Sequence, residues 1–143
     1  MLIKQISIFV ENKPGRLSGI TTLLKEQDID IRALSLADTS DFGILRLIVN
    51  KPDKAIEALK GADCTVSLTN VIAVCISDKP GGLADAMNAL YSYNISVEYM
   101  YAFISKSVDQ AYVIFRVDNN DRAIEALEEK NFTILSSEQV YDM

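Results

Sequence analysis

One corner of this chain occurs twice. Glu11-Asn12-Lys13-Pro14-Gly15-Arg16-Leu17 returns as Ser77-Asp78-Lys79-Pro80-Gly81-Gly82-Leu83, a spacing of 66 residues. Each copy follows a short apolar run and precedes a helical pattern. Before the first copy, Ile6, Ile8 and Val10 alternate with Gln5, Ser7 and Phe9, the period of a strand with one buried face. After it, Leu17, Ile20, Leu24 and Gln27 fall on one side of an expected helix over 14–27, with Pro14 in the first helical position. The first turn of such a helix has free N–H groups and attracts an anion.

The duplication extends past the corner. Ile72, Val74 and Ile76 match Ile6, Ile8 and Val10 at the same offset, and Ile95 and Val97 match Ile29 and Ile31. Ala55-Ile56-Glu57-Ala58-Leu59 reappears as Ala123-Ile124-Glu125-Ala126-Leu127 at an offset of 68. Two residues are therefore expected to be inserted near Ser105–Gln110, where a loop absorbs them. Between the corners the chain reads as strand (Ile29–Ala33), turn (Thr39-Ser40-Asp41), strand (Gly43–Val49), helix from Pro52 to about Gly61, and strand (Cys64–Leu68). The sequence thus predicts two βαββαβ modules, 1–69 and 70–143. Each would be an antiparallel sheet with both helices on one face, an α+β, ferredoxin-like arrangement, and the two sheets would lie side by side. The junction Thr69-Asn70-Val71 has no Gly, Pro or Ser, so the last strand of the first module is expected to run almost directly into the second.

Composition narrows the function. The net charge is −6, and the whole acidic excess lies in residues 71–143, with no basic stripe, which argues against nucleic acid or an anionic membrane as partner. The chain has no histidine, so imidazole triads and His-containing metal sites are excluded. Cys64 and Cys75 are too few for a disulfide framework and read as free thiols in a reducing cytoplasm. No cofactor motif, metal cluster, nucleophile–base pair or phosphate loop stands out, so catalysis is not expected. An RNA-recognition module shares this element order, but the third strand is mostly aliphatic rather than basic and aromatic.

The two corners, with Asp28-Ile29-Asp30-Ile31 and Asn94-Ile95-Ser96-Val97, make the chain resemble the ACT domain family. The resemblance covers essentially all of it, as a free-standing tandem pair. It implies a regulatory module that binds an amino acid between paired modules, where one corner faces the start of its neighbour's second strand. It places one site at Asn12, Gly15, Arg16 and Leu17 with Ser96, and a second at Asp78, Gly81, Gly82 and Leu83 with Asp30 and Ile31. It also implies an enzyme of amino-acid metabolism as a partner.

The residue types have physical reasons. A glycine lets a ligand approach the backbone, and the helix start faces a carboxylate with its positive end. Asn12 offers both donor and acceptor, whereas Asp78 meets an incoming carboxylate with like charge, and Asp30 adds a second acid there. The first site is expected to be the better carboxylate site. The second is expected to be empty, weaker or suited to an ammonium or other cation. Phe9, Leu34 and Leu36 are expected on the sheet faces away from the helices. With Tyr91, Tyr93, Tyr99, Tyr101 and Phe103 they would supply a homodimer surface. Two other readings remain open: a regulatory subunit that docks on a larger catalytic chain without a ligand, and a small enzyme on the same fold.

Overall fold

The computed structural model describes residues 2–143 apart from Thr39, Ser40, Ser105, Lys106 and the side chain of Asp38. The expected turn at Thr39-Ser40 and part of the expected insertion lie outside the described residues. The chain divides into two compact units, Lys4–Thr69 with Tyr141–Met143, and Asn70–Val140 with Met1–Ile3. Each is an α+β, ferredoxin-like βαββαβ module.

In the N-terminal unit, β1 (Ile3–Glu11) leads through the corner to α1 (Arg16–Glu26), then β2 (Ile31–Asp38), β3 (Phe42–Val49) and α2 (Pro52–Gly61). Both β2 and β1 pair antiparallel with β3, with Ile6 opposite Leu47 and Ile8 opposite Leu45. These side chains form one core with Ile20 and Leu24 of α1 and Ala55 and Leu59 of α2. Proline at the start of α2 lacks only an N–H that would have had no helical partner. β4 (Thr65–Ser77) is a single 13-residue strand that contains the Thr69/Asn70 unit boundary.

The C-terminal unit repeats the order with α3 (Gly82–Ser92), β5 (Val97–Ala102), β6 (Gln110–Val117), α4 (Asn120–Glu129) and β7 (Thr133–Ile134). β4 pairs with β6 and β7, and β5 with β6, all antiparallel. Its core joins Ile72, Val74, Phe115 and Val117 to Ala86, Ala89 and Leu90 of α3 and to Leu127 of α4. The short α5 (Ser137–Tyr141) was not foreseen. Ser136 Oγ accepts from the Gln139 N–H at 3.2 Å, and the Gln139 side chain accepts from the Ser136 N–H at 2.8 Å, a reciprocal cap readable in Ser-Ser-Glu-Gln.

Three expectations change in detail. Pro14 precedes the helix, and the N-cap is Gly15, whose φ of 88° is left-handed; Gly81 repeats it at 93°. That conformation, more than ligand approach, requires the glycine. Leu34 and Leu36 are not on the face away from the helices. A bulge between Ile31 and Ala33 shifts the alternation, so Leu34 lies opposite Leu47 and Leu36 opposite Leu45, both core residues of the helix side. They are half exposed because β2 is the edge strand of this unit's sheet. The tyrosines form no single cluster. A matching bulge at Val97/Tyr99 leaves Tyr99 and Tyr101 stacked at 6.5 Å, Phe103 lies edge-on to Tyr112, and Tyr93 sits under Arg122 and donates to Glu129.

Candidate functional site at the first corner

The two corners have the same backbone. Asn12 N–H donates to the Asp41 carbonyl and Asp78 N–H to that of Asp109, both at 3.0 Å, which ties each corner to the start of the next hairpin strand. Arg16 N–H turns back to the Lys13 carbonyl at 3.3 Å and Gly82 N–H to that of Lys79 at 3.0 Å. The donors expected for a carboxylate, the N–H groups of Gly15, Arg16 and Leu17, therefore change. Arg16 N–H serves the turn, and Gly19 N–H serves the Gly15 carbonyl at 2.9 Å. Between them, the N–H groups of Leu17 and Ser18 have no backbone acceptor among the described residues. Gly15 has no side chain with which to cap them.

The corners differ in charge. Glu11 pairs with Lys13 at 2.9 Å and with Arg16 at 3.4 Å. The Lys13 hydrogen bond, then the charges of Lys13 and Arg16, hold the Glu11 carboxyl below its ordinary range. One acid against two bases leaves the first corner positive. The equivalents in the second corner are Ser77, Lys79 and Gly82, with Asp78 beside them, so that excess is missing. The Glu11 clamp was readable as an acid two and five residues before the bases.

The other expected site residues stand at the second-strand starts. Asp30 N–H donates to Asn50 Oδ1 at 2.8 Å, and Ser96 N–H donates to Asp118 Oδ1 at 3.3 Å, so both starts are pinned by the residue after the central strand. The Asp30 carboxylate is paired with Arg32, which offsets the second negative charge expected there. Within the N-terminal unit, Asn12 and Leu17 stand beside Leu36 and Gly43, around a depression of about 60 Å³. Leu17 itself is 39% exposed and leaves the core face it was expected to join.

On the other side of the corner, a groove of about 850 Å³ runs along α1 and reaches Phe9, Phe42 and Ala62–Thr65. Cys64 lies on it, half buried, and is a free thiol, as is Cys75. Among the described residues, no group of His, Cys, Asp or Glu is placed to hold a metal, and no helix is long and apolar enough to cross a membrane.

The model of a family described as an ACT domain pair matches residues 1–143. The chain belongs to that family. A crystal structure of protein BT0572 from Bacteroides thetaiotaomicron is 40% identical, with 100% of this chain and 98% of that one covered, at a TM-score of 0.94. The regulatory subunit of aspartate kinase from Thermus thermophilus, in ligand-free form, shares the fold at 18% identity, coverage of 90% and 93%, and a TM-score of 0.65. Its counterpart from Thermus flavus does so at 18%, 88% and 90%, with a TM-score of 0.61. No curated protein matches. At these identities the two Thermus subunits share the fold with this chain.

Proposed function

We propose that this ACT pair is a non-catalytic sensor of a free amino acid in the cytoplasm, bound at the first corner. The observation that carries the reading is the corner's positive charge beside two unpaired N–H groups, on a turn that glycine alone adopts easily. The carboxylate accepts from Leu17 and Ser18, the dipole of α1 contributes roughly 0.3–1 kcal/mol, and Asn12 orients the ligand from the side. A second module closes the site with the start of its second strand, represented by Ser96. The second corner, Asp78, Gly81, Gly82 and Leu83 with Asp30 and Ile31 opposite, is the weaker one because Asp78 replaces Asn12. The half-exposed Leu17, Leu34 and Leu36 support association with a second copy as a homodimer. The regulatory-subunit neighbours support an enzyme of amino-acid metabolism as the recipient of the signal.

A thermal-shift screen against the twenty amino acids tests this. A specific ligand at 100 times its dissociation constant adds about 2.7 kcal/mol of stability. No shift with any amino acid, at millimolar concentrations, would refute the reading and favour a docking subunit without a ligand of its own.

A further inference from the structure

We infer that the first site selects amino acids with a large apolar or aromatic side chain, which lies in the groove along α1. The inference rests on the amino-acid reading above and adds the class of ligand to it.

The groove has the size of a small-molecule site, and its walls have the composition of one. Ile20 and Leu23 form apolar wall. Phe9 and Phe42, 5.9 Å apart and tilted by 56°, stand at the end near the corner, each about half exposed. Gly15 and Gly19 leave the backbone of α1 bare on this side. Gly15 is explained by its φ, but Gly19 is not. It lies inside a helix, where glycine is unfavourable relative to alanine, and a Cβ there would meet nothing within 4 Å. Nothing in the described chain uses the space that Gly19 leaves open. A flat or branched side chain laid on the helix would.

The second module carries different residues at the matching positions. There Gly82 replaces Arg16, and it sits so close to β4 that a Cβ would be 2.0 Å from the Ser77 carbonyl oxygen. Arg16 has a Cβ, so α1 cannot seat on β1 in that way. Ala86 and Ala89 replace Ile20 and Leu23, which lets α3 lie lower. Phe132 takes the place of Cys64 and packs on the core. Cys75, Gln110 and Asp85 replace Phe9, Phe42 and Gly19, so the aromatic end and the bare backbone are lost as well. Seven replacements at matching positions set the lining of this space apart in the two modules.

Calorimetry on the full chain tests this with L-phenylalanine, L-tryptophan, L-alanine and glycine as probes. The expected order is phenylalanine or tryptophan above alanine and glycine by about ten-fold or more, the worth of burying one large apolar side chain. Gly19→Leu fills the groove from an open position without a clash. It is expected to remove that advantage while leaving the small amino acids within about two-fold of the parent. Cys64→Phe, the residue of the second module, is expected to do the same from the opposite wall. If alanine or glycine binds at least as well as phenylalanine, or if both variants bind phenylalanine like the parent, the size selection is wrong and the amino-acid site stands. If none of the four binds, the size selection falls, and the screen of all twenty amino acids decides the amino-acid reading.

Discussion

Gly82→Ala should destabilise the protein although it adds alanine to a helix. Helix propensity alone favours the change by about 1 kcal/mol. The packing opposes it. The new Cβ would lie 2.0 Å from the Ser77 carbonyl oxygen and 3.0 Å from its carbon, where carbon–oxygen contacts settle above roughly 3.3 Å. The neighbour is backbone held in β4, so it cannot rotate aside, and the start of α3 must retreat by about 1 Å. That loosens Ala86, Ala89 and Leu90 on the sheet. Overpacking of this kind costs about 3 kcal/mol at its upper end, for a net loss of about 2 kcal/mol. Gly19→Ala has the same propensity gain and no obstruction within 4 Å, so it should stabilise by about 0.5–1 kcal/mol. The two variants therefore differ by about 3 kcal/mol with opposite signs. Urea unfolding with unchanged slope measures both, and thermal scans should move by about 4 °C per kcal/mol. A Gly82→Ala protein as stable as the parent would mean that α3 does not seat on the Ser77 carbonyl.

Other outcomes follow from single contacts. Asn12→Asp should weaken amino-acid binding by about 5- to 150-fold, or about 1–3 kcal/mol, by setting a charge against the carboxylate, as calorimetry would show; binding equal to the parent would exclude Asn12 from the site. Ser136→Ala should cost about 1 kcal/mol through the lost cap of α5, measured by urea unfolding, and an unchanged midpoint would show that the cap is idle. Tyr141→Phe removes the hydroxyl that accepts from Lys4 N–H and should cost about 0.5–1.5 kcal/mol on the same measurement. The Glu11 carboxyl has a folded pKa below its unfolded value of 4.5, so its contribution to stability is present above that value and is lost as pH falls through the depressed folded one. A carbon-detected NMR titration should place its midpoint below the ordinary glutamate value, and Lys13→Met should raise it.

The repeat made the element order legible, because two copies of one pattern constrain each other more than either does alone. Pro52 marked the start of α2 correctly for a local reason, its missing N–H. The sides of Leu34 and Leu36 were not legible. A bulge adds one residue to the alternation without a change in composition, so period two assigns everything beyond Ile31 to the wrong face. The helix ends carried a signal that went unread. Asp28, Asp63, Asn94 and Asn131 are all left-handed just after a helix, and all are Asp or Asn, the residues that tolerate that conformation best after glycine. At the corner, the repeated Pro-Gly pointed to the right turn, but which N–H groups remain unpaired depends on where the helix begins. The groove depended on residues far apart in sequence, Phe42 and Cys64 against α1, and only their packing reveals it.

The membership of Tyr141 in the N-terminal unit sets a schedule for synthesis. Its carbonyl accepts from Arg32 at 2.9 Å and its hydroxyl from Lys4 N–H at 3.1 Å, across 109 and 137 residues of chain. Thr69 leaves the peptidyl-transferase centre 72 residues before Tyr141, about 4–14 s at ordinary elongation rates. For that interval the nascent first module lacks Tyr141, whose carbonyl accepts from Arg32 and whose hydroxyl accepts from the Lys4 N–H. A ribosome stalled late in residues 70–140, with the first module clear of the exit tunnel, would display that module without the later segment that bonds to Arg32 and Lys4.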